Sequence, residues 1–170
     1  NPYIALKPNV GDYFNNLIIN SSTTLGIDNT YSDSLVVNGD LTIQGGALAS
    51  NNHTIVVGGD WINYVGPTAF MQGLGTVIFN RASGYQFCYG GNFYNLKHGG
   101  NGGLLHIYGT TNVYNNFYCQ GNTWSNEIMY IDNLLISWTG KFTANSYSVV
   151  NIDDLDMGMS VLGMYLYGTI

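Results

Sequence analysis

The sequence predicts an all-β chain wound as a single-stranded β-solenoid of about eight coils with a period near 20 residues. Three observations predict it. Apolar residues come in short runs that alternate with a period of two, as in Leu41-Thr42-Ile43, Val77-Ile78-Phe79 and Leu105-His106-Ile107, and no stretch carries a helical period. Turn signals are dense, among them Asn38-Gly39, Gly45-Gly46, Gly58-Gly59, Gly90-Gly91 and Gly99-Gly100. Finally, one short motif returns along the whole chain: an apolar residue, two or three small or polar residues, then a second apolar residue.

The clearest copies are Val37-Asn38-Gly39-Asp40-Leu41 and Val57-Gly58-Gly59-Asp60-Trp61, with Phe14-Asn15-Asn16-Leu17 ahead of them. Leu74-Gly75-Thr76-Val77, Phe93-Tyr94-Asn95-Leu96, Val113-Tyr114-Asn115-Asn116-Phe117, Ile131-Asp132-Asn133-Leu134 and Ile152-Asp153-Asp154-Leu155 follow. Their starts lie 23, 20, 17, 19, 20, 18 and 21 residues apart, and the copy at Leu74 is the loosest. Each period reads as one coil of about three short strands, stacked on the next at roughly 4.8 Å, so eight coils make a rod of about 35–40 Å. The motif's apolar residues point inward, and the Asn, Gly or Asp between them turns a corner, where these residues tolerate left-handed backbone best. A coil cannot bury its own apolar face, so the whole of residues 1–170 is expected to form one stacked domain. A two-sheet sandwich would also show short alternating strands, but it would not require one corner motif to return at this spacing. The variable coil length and the lack of a strict hexapeptide repeat favour a right-handed winding.

Gly59-Asp60-Trp61-Ile62-Asn63, Gly75-Thr76-Val77-Ile78-Phe79-Asn80, Gln86 and Asn92-Phe93-Tyr94-Asn95-Leu96 together resemble the β-helix repeat arrays of secreted bacterial surface proteins of the Bacteroidota adhesin type. The match is close over residues 59–96, looser over Leu35–Asp60, and fades in the C-terminal third. The resemblance implies a right-handed β-helix, secretion, and a structural or adhesive role. It is an argument about fold before it is one about activity.

Composition narrows the function classes. Charged residues are 8% of the chain, against about 25% in an average soluble domain. The surface is therefore built from Asn, Ser, Thr, Gly and Tyr, which suits an extracellular structural protein and leaves little charge repulsion to oppose self-association. A net charge of −6, with Lys7, Arg81, Lys97 and Lys141 as the fixed cations, argues against nucleic-acid binding. The uncharged span between Asp60 and Arg81 is interrupted by Asn63, Pro67, Gln72 and several glycines, so no membrane span is expected. A chain that starts at Asn1 with no leader reads as a mature secreted chain or an excised fragment. Two cysteines are too few for a disulfide framework. Cys88 and Cys119 sit at different phases of their coils and are expected as unpaired, buried thiols.

Several constellations invite a chemical reading. Asp40 and Asp60 share a motif position one coil apart, so stacking would bring their carboxylates within roughly 5 Å, near the spacing of a retaining glycosidase pair. A corner Asp that bonds backbone N–H groups in its turn is the simpler reading, and no catalytic residue is assigned. Asp132, Asp153, Asp154 and Asp156 form the sharpest acidic cluster and the candidate metal site, for calcium, although the glycine-rich nonapeptide of calcium-binding β-rolls is absent. His53, His98 and His106 fall at different phases, with no pair at metal-ligand spacing. Tyr64, Tyr85, Tyr89, Tyr94, Tyr108, Tyr114, Tyr118, Tyr130 and Tyr147 lie beside inward positions, so several should face out, to stack on one another, on a partner protein or on sugar rings. Asn20-Ser21-Ser22 and Asn52-His53-Thr54 match the glycosylation acceptor pattern, which arises easily by chance in such a composition.

The expected function is that of a non-enzymatic subunit of an extracellular, self-assembling fibre or surface layer, with residues 1–13 and 157–170 involved in subunit contacts. A solenoid needs polar caps at its ends, and neither of these segments reads as one. The alternatives are an adhesin stalk that binds glycans or a cell-surface ligand, a polysaccharide-acting enzyme on a β-helix, and a viral tail fibre.

Overall fold

The computed structural model describes residues 3–9, 11–30, 34–99, 102–137, 139–157 and 164–166. They form a β-solenoid. Sixteen strands join in a single sheet, and each strand ladder is parallel. The described residues include no α-helix; one 3-10 turn, Pro67–Ala69, lies in a loop. An all-parallel ladder is what a coil makes when it returns to its start one level up, and it rules out an antiparallel sandwich.

The coil has three sides, each a column of strands. The first runs through Leu35–Val37, Ile55–Val57, Thr76–Phe79 and Asn95–His98, then through the ends of Gly103–Cys119, Ile128–Ile136 and Val149–Met157. The second runs through the start of Leu17–Ile27, the start of Leu41–Ala49, Trp61–Asn63, Gly84–Phe93, Gly103–Cys119, Asn122–Ser125, Lys141–Ala144 and Met164–Leu166. On the third, Tyr3–Leu6 pairs with the end of Leu17–Ile27, and later levels carry Phe70–Met71 and the paired residues Phe93, Val113, Ile131 and Ile152. One inward column records the whole rise: Phe14, Val37, Val57, Phe79, His98, Cys119, Ile136 and Met157 stack in register over seven steps. At roughly 4.8 Å per step these seven turns span about 34 Å.

The registers correct one detail of the repeat. The motif copies up to Trp61 turn the corner between the first and second sides. Those from Leu74 onward turn the corner between the third and first sides, because Val77, Leu96, Phe117, Leu134 and Leu155 stack over Leu35 and Ile55, not over Leu41 and Trp61. The splice falls at the shortest spacing, 17 residues, whereas the true step from Val57 is to Phe79, 22 residues on. Two corners of one coil ask for the same residues, so they read as one motif.

The core is a stack of apolar layers. Leu41 and Trp61, Ile55 and Leu96, and Phe117 and Phe142 are fully buried. Trp61 meets Phe70 and Phe93 edge-on at centroid distances of 4.8 and 5.4 Å, and Phe117 meets Phe142 at 6.0 Å. Each such side chain contributes about 1.5–3 kcal/mol by leaving water, and only because a neighbouring level covers it. The corners are as closely packed as the core: a Cβ on Gly59 would sit 2.3 Å from Asp40 Oδ1. Asn51 and Asn52 hold φ of +51° and +70°, the left-handed conformation expected of a corner asparagine.

Candidate functional site

Asp40 and Asp60 do stack, but as structural groups. Asn16 Oδ1 accepts the N–H of Asp40 at 2.8 Å, Asp40 Oδ1 accepts the N–H of Asp60 at 2.8 Å, and Asp60 Oδ1 accepts the N–H of Phe87 at 2.9 Å. Each side chain caps the corner of the next level, a charge-assisted bond where the acceptor is a carboxylate. Above Asp60 the corner widens, and Gln86 and Arg81 fill it. Gln86 is fully buried; its Nε2 donates to the carbonyls of Val57, at 2.8 Å, and Gly59, while its Oε1 accepts the N–H of Arg81 at 3.2 Å. Arg81 reaches back with Nε to the carbonyl of Gly58 at 3.3 Å and with Nη1 to the carbonyl of Tyr85, and lies 3.8 Å from Asp60 Oδ1. A second ladder lines the corner between the third and first sides, where Asn115 Nδ2 donates to Asn95 Oδ1 at 2.9 Å and Asn133 Nδ2 to the carbonyl of Asn115 at 3.1 Å.

The acidic cluster lies on the last two levels of that same corner. Asp132 is half-buried and Asp153, Asp154 and Asp156 are exposed; Asp154 stands over Asn133 and Asp156 over Leu135. Among the described residues no three His, Cys, Asp or Glu side chains converge to hold a metal ion.

Cys88 and Cys119 are free and buried, on different sides of the coil. Burial pushes the Cys119 thiol up to about 11, and raises that of Cys88 further. Cys119 does have a polar neighbourhood that sequence reasoning missed. His98 lies directly below it in the inward column, and Thr123 Oγ1 accepts from Cys119 Sγ at 3.4 Å and is hydrogen-bonded to His98 Nδ1 at 3.0 Å. Burial pushes His98 down to about 4. A neutral thiol beside a neutral imidazole, with all three side chains fully buried and His98 Nε2 without a hydrogen-bond partner among the described residues, is a core cluster and not an activated nucleophile.

The outer face of the second side carries a row of aromatic side chains. On Gly84–Phe93 the residues alternate, so Gln86 and Cys88 point in while Tyr85, Phe87 and Tyr89 point out. One level on, His106 and Tyr108 extend the row, and Trp124 stands over His106. Their rings touch in a continuous strip: Tyr85–His106 at 5.4 Å, Phe87–His106 at 5.8 Å, Tyr89–Tyr108 at 5.7 Å and His106–Trp124 at 5.8 Å. Several pairs are nearly parallel, with interplanar angles of 19° for Tyr89–Tyr108 and 15° for His106–Tyr108. Beside the strip, Asp60, Ile62, Asn63, Tyr64 and Tyr89 line an open recess of about 300 Å³. Asn63 shapes its rim: its Oδ1 accepts the N–H groups of Val65 and Gly66 at 3.2 and 3.1 Å, and its Nδ2 donates to the carbonyl of Gly66 at 2.7 Å, fixing the loop that carries Tyr64.

Of the nine tyrosines among which the sequence expects several to face out, Tyr64, Tyr85, Tyr89 and the half-buried Tyr108 belong to this face; Tyr114, Tyr118, Tyr130 and Tyr147 are exposed elsewhere, and Tyr94 is half-buried. Sequence reasoning missed Phe87, His106 and Trp124. The available signal was period-two alternation around buried Gln86, Cys88, Leu105 and Thr123, read together with the level spacing.

Fold and surface together define the class as a β-solenoid repeat protein. No family model, no curated protein and no solved structure matches the chain. No helix among the described residues is long and apolar enough to cross a membrane.

Proposed function

We propose that the chain is a non-enzymatic structural rod, a segment of an extracellular fibre or surface layer that lengthens when further solenoid levels stack or add strands to it. The observation that carries this reading is the exposure of Leu155 and Met157, at 43% and 46%. Both stand in inward columns where Leu96, Phe117 and Leu134, and Val57, Phe79 and Cys119, are fully buried. A level laid over Val149–Met157 buries both side chains and pairs the edge of a strand that has one neighbour among the described residues. Further support comes from the polar groups: the side chains of Asn16, Asp40, Asp60, Asn95 and Gln86 are spent on joining levels. The few charges leave little repulsion to oppose association. The neutral Asn-, Thr- and Tyr-rich composition supports the extracellular reading. The proposal for residues 1–13 and 157–170 as contact segments falls partly outside the described residues, which include Met157 and 164–166 of the second segment.

Sedimentation velocity and electron microscopy of the purified chain over a wide concentration range test the reading. Rods that lengthen with concentration, and that Leu155→Asp or Met157→Asp shortens to single units, are expected. A monodisperse short rod at the highest concentration overturns it.

A further inference from the structure

The recess beside Asp60 and the aromatic strip that leads from it are adjacent parts of one face. Tyr64 and Tyr89 are 73% and 45% exposed, large values for rings that border a concave site. The recess, at about 300 Å³, matches the small end of the range for small-molecule sites, roughly 300–1,000 Å³. Asp60 spends Oδ1 on the N–H of Phe87 and the guanidinium of Arg81, and its Oδ2 makes no hydrogen bond among the described residues. Asp60 lines the recess together with Tyr64 and Tyr89, so an acceptor with no partner among the described residues stands beside two aromatic rings.

We propose that this face is a carbohydrate-binding site for a neutral oligosaccharide, with one pyranose ring in the recess against Tyr64 and Tyr89, its hydroxyls donating to Asp60 Oδ2, and successive rings lying on the strip toward Trp124. Three features select that ligand class. Charge comes first: Asp60 repels an anionic ligand, and Arg81 is already committed to Asp60 and to the carbonyls of Gly58 and Tyr85, so an anion meets no free cation there. Shape comes second: Tyr108 lies 19° from parallel to Tyr89 and 15° from parallel to His106, so these three rings make a floor, with Phe87 tilted 32–41° against them, whereas a quaternary ammonium is held by rings set around it as a cage. A floor of aromatic faces suits the flat C–H face of a sugar ring. Third, the Tyr89 hydroxyl at the recess stays protonated. Burial, then the nearby Asp60 carboxylate, raise the ionisation of Tyr89 above the ordinary tyrosine range, so its O–H remains a donor as well as an acceptor for sugar hydroxyls. This inference does not rest on the rod's assembly, since the strip runs along the side of the solenoid and Leu155 and Met157 lie on another side.

Affinity electrophoresis of the folded chain through gels containing neutral polysaccharides (a β-glucan, a xylan, a mannan), followed by calorimetry with hexasaccharides of the one that retards it, tests the site. Retardation by at least one, with Tyr64→Ala and Tyr89→Ala each weakening hexasaccharide binding by about tenfold or more at an unchanged melting temperature, is expected. Asp60→Asn, which keeps the acceptor for Phe87, should weaken binding without unfolding the corner. Trp124→Ala should weaken the hexasaccharide more than the disaccharide. No retardation by any of the three, tyrosine variants that bind like the parent, or tighter binding of choline or of polygalacturonate than of any neutral sugar overturns the proposal.

Discussion

Asp40 Oδ1 accepts the backbone N–H of Asp60, 2.8 Å away and one level along the rod. Two residues that look like a paired acid site in the sequence are instead consecutive links of one ladder, which starts at Asn16 and ends at the N–H of Phe87. In this ladder an acceptor is required and a charge is not. Asp40→Asn should therefore stay within about 0.5 kcal/mol of the parent, while Asp40→Ala, which orphans the N–H of Asp60, should lose about 1–3 kcal/mol. Chemical denaturation of the three proteins checks the ordering. Equal losses in both variants would mean that charge, not the acceptor, holds the corner.

Glycine tolerance should follow the spacing of the levels. A Cβ on Gly59 meets Asp40 Oδ1 at 2.3 Å and the carbonyl carbon of Gly39 at 2.3 Å, so Gly59→Ala must push two levels apart. A loss of about 1–3 kcal/mol or more is expected. A Cβ on Gly99 has its nearest neighbour, the carbonyl oxygen of Phe79, at 3.5 Å. Gly99→Ala is expected to be neutral or to stabilise by up to about 1 kcal/mol through the unfolded chain. Melting temperatures of the two variants give the comparison.

His98 should make the rod acid-sensitive. Its burial lowers the folded value from 6.5 to about 4, so the unfolded chain binds a proton that the folded chain refuses between those two values. Stability from this group is thus complete above about pH 6.5 and is lost as pH falls toward 4, on the order of 3 kcal/mol by the linkage relation. His98→Leu places an apolar side chain between Phe79 and Cys119 and removes the titration. The difference in unfolding free energy between parent and variant should be flat from pH 7 to 8 and should shift against the parent between pH 6.5 and 4. A constant difference across that range would show that His98 does not carry the acid sensitivity.

The two thiols should be silent in the folded rod. Cys88 and Cys119 are fully buried, and burial raises both thiols above their ordinary range. A disulfide exchange reagent at pH 8 is expected to label neither until the chain opens, at a rate that rises with denaturant as unfolding does. Rapid labelling of either under native conditions would contradict the buried placement.

What could be read from residue order was the architecture: an all-β solenoid, its level spacing, its inward apolar columns, and corners of Asn, Asp and Gly. Those features are local or periodic, so one chain carries them in view. Leu41 and Trp61 alternate with polar neighbours, and Asn38-Gly39 marks a turn, whatever lies above or below. The structure was needed to say which corner is which. The copies around Val37 and around Phe93 look alike because each coil turns more than once under the same steric demand, and only the hydrogen-bonded registers place Phe93 on another edge. The meeting of Cys119 with His98 and Thr123, the spending of the Asp40 and Asp60 oxygens on backbone N–H groups, and the joining of Tyr85, Phe87, Tyr89, His106, Tyr108 and Trp124 into one strip are contacts between levels. A shift of one residue in register would turn every strand's side chains to the opposite face, so such contacts exist only once the stacking has chosen its register.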